Sequence, residues 1–366
     1  MIIAIDARAL VSQKPAGKEK FTINILEELF KLDRQNQYIL YLTRDCQRSL
    51  PGNFLKKVIK APNIFWHLFV LIDLIFKKPD LFFAPLSYIV PSLNIFSKNI
   101  IIVYDLCVFL PIRTGVNFKT SLLERMFLGI AAKRAEKIIT ISESTKKDIA
   151  KYFRINPSKI LITYPGLNQN IAMGDNSREI LNKYNLPPDF LLFVGTLEPR
   201  KNIVRLIEAY HRLIINYQLL ITNFKLVIVG KRGWHYQEIF EKVKKLQLEN
   251  RVVFLNYVSD EDLPYLYNSA ACFIYPSLYE GFGLPVLEAM ACGCPVITSN
   301  VSSLPEVVGE AGILIDPYNI DEIAEALQKV LTDENLRQEL KRKGLEQARK
   351  FSWEKTARGI LKILCG

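Results

Sequence analysis

The stretch Pro276–Asn300, PSLYEGFGLPVLEAMACGCPVITSN, decides how this chain is read. It starts at the end of an apolar run, Ala271 to Tyr275, which reads as a buried strand. A polar loop with Gly281 and Gly283 follows. Then comes Leu284 to Ala291, apolar with helical spacing, with Pro285 in a first turn that tolerates it. Gly293 ends that helix, and Pro295 to Thr298 reads as the next strand. The loop leaves backbone N–H groups at a helix N-terminus, where an anion is favoured. Glu280 lies in the loop, and Glu288 lies about one turn into the helix. Glu288 can use the positive end of the helix dipole, worth about 0.3–1 kcal/mol. Its carboxylate can equally accept two hydrogen bonds from a vicinal diol such as a ribose, while the loop N–H groups hold a phosphate. On this local pattern both readings stand: a capping and a surface glutamate, or two carboxylates flanking a ligand.

Working outward, strands and helices alternate on both sides of this block. Met1 to Ala7 reads as a first strand, apolar on both faces as in a parallel sheet. Ala9 to Lys20 reads as a loop, and Phe21 to Leu32 as a helix. Further strands are expected at Tyr38–Leu42, Pro79–Ala84, Ile100–Tyr104, Lys137–Ile141 and Ile160–Tyr164. Between the last two, Ser142 is expected to cap a helix from Glu143 to Phe153. Residues 167 to 188 are polar, with Gly174 and the pair Pro187-Pro188, and read as an irregular linker. Phe190 to Val194 restarts the alternation and runs into GTLEPRKN, Gly195 to Asn202. Arg200 and Lys201 there stand between a strand and a helix, as a basic turn in water or a phosphate-facing pair. Strands at Phe224–Gly230, Val252–Leu255 and Gly312–Ile315 follow, with a capped helix over Val258–Ala270. Helices at Ile320–Leu331 and Glu334–Ala348 and an amphipathic one to Leu364 complete the plan.

Two glutamates separated by seven residues resemble the E-x7-E motif of retaining glycosyltransferase family four. The likeness continues through SLYEGFGLP, LEAMACGCPVITSN and SSLPEVVGEAGILIDP, ending at Pro317. Within that family it resembles bacterial mannosyltransferases of polysaccharide and lipopolysaccharide assembly. The resemblance implies the GT-B fold: α/β, with two Rossmann-like doubly wound domains facing across a cleft. It implies an acceptor-side domain over 1–170, a nucleotide-sugar domain over 171–348, and a last helix, 349–366, crossing back. By the same resemblance Glu280 faces the donor sugar, Glu288 binds the nucleotide ribose, and Arg200 and Lys201 hold the donor diphosphate. Gly195, the loop residues Gly281, Phe282, Gly283 and Leu284, and backbone near Val258 complete the donor contacts. Gly17 is the one glycine that fits the family's first loop, where the alternative is an ordinary strand–helix loop. Asp105 ends a strand where ligands bind in such sheets. Tyr104 precedes it where relatives often have His, and a Tyr hydroxyl cannot carry a proton near neutral pH.

Composition narrows the class. The chain has 366 residues, of which 49% are hydrophobic and 23% charged, so it folds into domains of ordinary size. Its net charge of +11 suits nucleic acid, an anionic membrane or phosphate-rich ligands. The charges are scattered and no RNA- or DNA-binding signature stands out, so nucleic acid is not expected. Six cysteines without a C-x-x-C pair, several in apolar runs, read as free thiols of a reducing compartment. Three isolated histidines argue against a zinc site, and Asp260-Glu261-Asp262 reads as dipole-stabilised acids rather than a metal motif. Ile64 to Phe76 is strongly apolar but short for a bilayer span, and reads as a mostly buried helix, with a surface-lying membrane helix as the minority reading.

An NAD-dependent oxidoreductase is disfavoured, because Val286 stands where G-x-G-x-x-G needs its third glycine. A phosphorylase or an epimerase of the same fold is disfavoured by the block from Glu280 to Pro317. The expectation is therefore retaining transfer of a hexose, mannose from GDP-mannose, to a glycan or lipid-linked acceptor in cell-surface polysaccharide synthesis. A UDP-sugar donor and a catalytically silent membrane-bound scaffold are the alternatives. No metal or other cofactor is expected beyond the nucleotide diphosphate sugar as co-substrate. A cytoplasmic protein on the anionic inner face of the membrane is expected, with Lys18, Lys20, Arg113 and Lys119 as candidate contacts.

Overall fold

The computed structural model describes residues 1–109, 118–167, 177–216 and 224–366, without the side chains of residues 63, 64, 118–121 and 123. Arg113, the Lys119 side chain and the linker positions Gly174–Asn176 lie outside that description. Among the described residues the chain forms two compact units. The first takes 1–109, 118–166 and 352–366, and the second 167 and 177–351.

In the first unit seven strands form one parallel sheet: β1 (Ile2–Asp6), β2 (Gln37–Leu42), β3 (Phe54–Val58), β4 (Leu81–Ala84), β5 (Lys98–Val103), β6 (Lys137–Thr140) and β7 (Ile160–Ile162). Their order is β3-β2-β1-β4-β5-β6-β7. Ile3 lies between Tyr38 of β2 and Leu81 of β4. These strands read as continuous apolar runs because helices cover the sheet, as the buried cluster of Trp66, Val70, Leu128 and Ile149 with Phe82 and Ile101 records. Each fully buried side chain of this size contributes about 1.5–3 kcal/mol. The last helix, Trp353–Cys365, belongs to this unit, and its Trp353 ring meets Phe21 edge-on at 5.4 Å. Thr356 Oγ1 donates to the Tyr164 carbonyl at 2.6 Å. Gly166 permits that approach, since a Cβ there would stand 2.0 Å from Trp353 N.

The second unit repeats the plan with six parallel strands: β8 (Phe190–Val194), β9 (Lys225–Val229), β10 (Val252–Leu255), β11 (Cys272–Tyr275), β12 (Val296–Ser299) and β13 (Ile313–Ile315), in the order β10-β9-β8-β11-β12-β13. Leu192 of β8 is flanked by Val227 of β9 and Phe273 of β11. The chain thus winds outward in both directions from β8 and β11. The gap beyond their carboxyl ends is the switch point where such sheets bind ligands.

Four expectations need correction. The first long helix begins at Gly17, four residues before Phe21, because Glu19 reaches back to accept from Ala16 N at 3.2 Å. The linker is not wholly irregular, since Ser177–Lys183 is helical. The helix expected over Val258–Ala270 spans only Leu263–Ser269, and the Asp262 carboxylate before it takes Lys183 Nζ and Tyr184 OH, each at 2.6 Å. The helix Asn63–Lys77 is not mostly buried: only Trp66, His67, Val70 and Leu74 of its described side chains are, and much of its apolar surface is exposed. All six cysteines are free.

Candidate active site

The loops after β8 and β11 carry the expected cations and the first glutamate to one point. After β8 the chain makes a single 3-10 turn, Pro199–Lys201, and Asn202 then adopts a left-handed conformation before the helix Ile203–Asn216. Asn202 is fixed there by its amide, which donates to the Pro317 carbonyl at 2.6 Å. The turn aims Arg200 and Lys201 at the loop after β11. Main-chain bonds lock the two loops together: Leu278 N donates to the Arg200 carbonyl at 2.9 Å, and Ser277 Oγ to the same oxygen at 3.1 Å.

Glu280 is the centre of the cluster. Its Oε1 accepts from Lys201 Nζ at 2.5 Å, Ser277 Oγ at 2.6 Å and Tyr275 OH at 3.0 Å. Its Oε2 lies 2.9 Å from Arg200 Nη1. Lys201 Nζ also donates to Tyr275 OH and stands over that ring. Arg200 Nη1 donates to the Tyr279 carbonyl at 2.7 Å, and Nη2 pairs with Glu198 Oε1 at 2.6 Å. Glu198, Lys201 and Glu280 are all buried. Burial opposes ionisation of Glu280, but Lys201 and Arg200, with hydrogen bonds from Lys201 and Ser277, hold its carboxyl down to about 2. Burial also pushes the Lys201 ammonium below its usual range, against the raising effect of Glu280. Two carboxylates and two cations thus make a network of zero formal charge, in which removing any member strands a buried charge.

The backbone of Glu280 is held as firmly as its side chain. Ser302 Oγ accepts from Glu280 N at 3.1 Å and donates to Glu280 O at 2.6 Å. Ser303 Oγ donates to Glu280 O at 2.9 Å and Phe282 O at 2.6 Å. Gly283 then turns the chain with φ +117°, and a Cβ there would stand 2.8 Å from Leu304 Cδ2. The helix Leu284–Ala291 follows with no side chain capping it, since its N-cap is Gly283. Glu288, on its second turn, accepts from Tyr267 OH at 3.1 Å. Gly195 N donates to the Val229 carbonyl at 2.9 Å, and Val258 is buried in the segment after β10.

The remaining candidates lie in the first unit. Gly17 opens its helix with open space where a Cβ would be, so no close approach demands glycine there. Asp105 Oδ1 accepts from Cys107 N at 2.9 Å, closing the turn after β5. Tyr104 is buried with its ring edge-on to Phe21 at 5.3 Å, and its hydroxyl lies 3.4 Å from both Thr22 Oγ1 and the Lys18 carbonyl. Burial raises the Tyr104 phenol above its ordinary value, so it stays neutral in the physiological range. Lys18 pairs with Glu124 at 3.1 Å.

The structure therefore brings Arg200, Lys201 and Glu280 into direct contact, with Glu288 on the adjoining helix. Five residues of the same cluster were not singled out from the sequence: Glu198, Tyr275, Ser277, Ser302 and Ser303. Glu198 lay inside GTLEPRKN and Ser302 inside the block ending at Pro317, so position in those stretches was the available signal. Among the described residues no group of three or more His, Cys, Asp or Glu could hold a metal ion.

Residues 176–347 match the family described as glycosyl transferases group 1. The O-antigen chain mannosyltransferase B of Escherichia coli is 40% identical over 223 residues, which are 60% of this chain and 58% of that protein. From Campylobacter jejuni, the N-acetylgalactosamine-N,N'-diacetylbacillosaminyl-diphospho-undecaprenol 4-alpha-N-acetylgalactosaminyltransferase is 31% identical over 286 residues, 76% of this chain and 74% of its own. A solved sucrose-phosphate synthase from Thermosynechococcus elongatus superposes with a TM-score of 0.78 at 20% identity, covering 99% of this chain and 98% of that one. The chain belongs to the glycosyl transferases group 1 family, and its fold is GT-B.

Proposed function

We propose that this chain is a retaining glycosyltransferase that moves a hexose from a nucleotide diphosphate sugar to a glycan or lipid-linked acceptor in cell-surface polysaccharide assembly. The observation that carries this reading is the buried meeting of Glu280 with Arg200 and Lys201 at the β8–β11 switch point, beside an uncapped helix end. Departure of the sugar builds negative charge on the leaving diphosphate. Arg200, Lys201 and the N–H groups of the Gly281–Leu284 loop are the groups suited to stabilise it, the electrostatic route to catalysis. Glu280 holds both cations in register for that task and presents its carboxylate to the sugar. Glu288 accepts the ribose hydroxyls. No metal is needed in this scheme, because the cations and loop amides meet the charge.

Mannose from GDP-mannose is the favoured donor, supported by the 40% identity to an O-antigen mannosyltransferase. The relative named for transfer of N-acetylgalactosamine onto a diphospho-undecaprenol favours a second reading, an N-acetylhexosamine donor, and supports a lipid diphosphate as acceptor. Such an acceptor implies a cytoplasmic protein resting on an anionic leaflet, which the net charge of +11 suits. No helix among the described residues is long and apolar enough to cross a membrane. The test is the anomeric configuration of the product by NMR: retention is expected, and inversion would refute the assignment.

A further inference from the structure

The helix Asn63–Lys77 is apolar on both sides. Its inner side buries Trp66, Val70 and Leu74 against the first sheet. Its outer stripe should be polar if it faced only water. Instead Phe65, Leu68, Phe69, Ile72 and Phe76 are all exposed, Phe65 by 58% and Phe76 by 80%. Those positions recur at helical spacing and form one row rather than scattered contacts. The one acid of the helix, Asp73, is turned away from that row: it accepts from Tyr41 OH at 2.9 Å and pairs with Lys57 at 3.2 Å. The short helix Ile89–Leu93 packs beside it, and its last residue Leu93 and the turn residues Ile95 and Phe96 are exposed, Ile95 by 73%. Large apolar side chains exposed together on one helix and on the element packed beside it mark an interaction surface.

Its border is basic. Lys60, Lys77 and Lys78 are exposed around the two ends of the helix. Beyond Phe96, Lys98 and Arg134 line a cavity of about 270 Å³ with Ile95, Asn94 and Glu136, where Lys98 pairs with Glu136 at 3.8 Å and Arg134 donates to the Ser92 carbonyl. Phenylalanines on a face, lysines at its margin and no outward acid on the helix fit a bilayer interface with anionic headgroups. A helix of 15 residues is too short to span a bilayer, which leaves the plane of the interface as the place such a face would be buried.

We propose that the helix Asn63–Lys77 and the Leu93–Phe96 turn dock this protein onto an anionic lipid bilayer, with the phenylalanines inserted among the acyl chains. This rests on the membrane reading under Proposed function and names the surface that performs it. Of the basic residues expected for this task from the sequence, Lys18 is paired with Glu124 at 3.1 Å.

The full chain is sedimented with vesicles of phosphatidylcholine alone and with added phosphatidylglycerol. Wild type is expected to bind the anionic vesicles, and Phe69→Ser/Phe76→Ser to lose about tenfold in partitioning. Lys77→Glu/Lys78→Glu is expected to weaken binding in low salt only. An unchanged circular dichroism spectrum and melting temperature verify that the variants fold. Separately, Phe69→Trp is expected to shift its emission to the blue and to be quenched by brominated lipid. Equal binding by wild type and the phenylalanine variants, with no quenching, overturns the docking surface while the membrane reading survives. Failure of wild type to bind at low salt overturns both. A wild-type dimer that the phenylalanine substitutions convert to monomer assigns the face to a second copy of the chain and overturns the proposal.

Discussion

Glu280 Oε1 and Lys201 Nζ lie 2.5 Å apart across 79 positions of sequence. The contact exists because β8 and β11 are neighbours in the second sheet, so the loops leaving their carboxyl ends meet. Arg200 on the other carboxylate oxygen and Glu198 on Arg200 extend it into a four-residue network. Charges fixed in place by the fold are what the proposed electrostatic route to catalysis requires.

Glu280→Gln keeps the shape and removes the charge, leaving Lys201 and Arg200 buried without it. Breaking a buried pair from one side costs about 3–5 kcal/mol. Urea unfolding should report a loss of that order, and transfer activity should fall by roughly 10²-fold or more. Restored stability in Glu280→Gln/Lys201→Met, with activity still lost, is expected, because the double variant removes the stranded charge but not the need for it.

Arg200→Lys tests geometry at constant charge. The guanidinium spans Glu198, Glu280 and the Tyr279 carbonyl at once, which a single ammonium cannot do. The variant should lose at least about tenfold in kcat/KM and also melt at a lower temperature, each lost charge-assisted bond being worth about 1.5–3 kcal/mol. Steady-state kinetics against nucleotide sugar concentration check it.

Glu280 and His67 are two buried groups that contribute to the acid response. Glu280 has its folded pKa depressed from 4.5 to about 2, so its contribution is complete above 4.5 and lost as pH falls toward 2. His67 is buried beside Arg8, and burial foremost lowers it from 6.5 to about 4. The folded state therefore resists protonation that the unfolded chain accepts, and stability declines as pH falls from 6.5 to 4. Unfolding free energy measured from pH 7 to 4 should drop by about 3 kcal/mol, and His67→Gln should flatten that slope.

The buried charge network was legible because its members stand in contiguous motif stretches. Glu280, Arg200 and Lys201 were open to two readings from the strand–loop–helix order alone, and the resemblance of their stretches to a known family singled them out. Other features were harder for identifiable reasons. β3, FLKKV, is an edge strand whose Leu55 and Lys56 face water, so it lacks the two-sided apolar run of its neighbours. The helix Gln237–Lys245 buries only Ile239 and Val243, too few to mark it against its lysines and glutamates. The Phe65–Phe76 row was taken as core because hydropathy records that a side chain avoids water, not which apolar surroundings it finds.

Glu288→Gln should weaken nucleotide binding about tenfold, the value of one charge-assisted pair at the ribose, with little change in stability. Its carboxylate meets the Tyr267 hydroxyl, and Tyr267→Phe should cost less, since it orients the glutamate without facing the ligand. Titration calorimetry with a nucleoside diphosphate checks both.

Gly283→Ala should disorganise the same helix end. The residue holds φ +117°, and the new Cβ would meet Leu304 at 2.8 Å. Strain of this kind costs about 1–3 kcal/mol, read as a lower melting temperature together with weaker phosphate binding.

The central claim is that Glu280, Arg200, Lys201 and Glu288 together bind a nucleotide diphosphate sugar. Thermal unfolding of the full chain against a panel of nucleotide sugars tests it most directly. Protection by one of them, GDP-mannose foremost, that disappears in Arg200→Ala is the predicted result. Protection by none of the panel, or protection that survives in Arg200→Ala and Glu288→Gln alike, would contradict it.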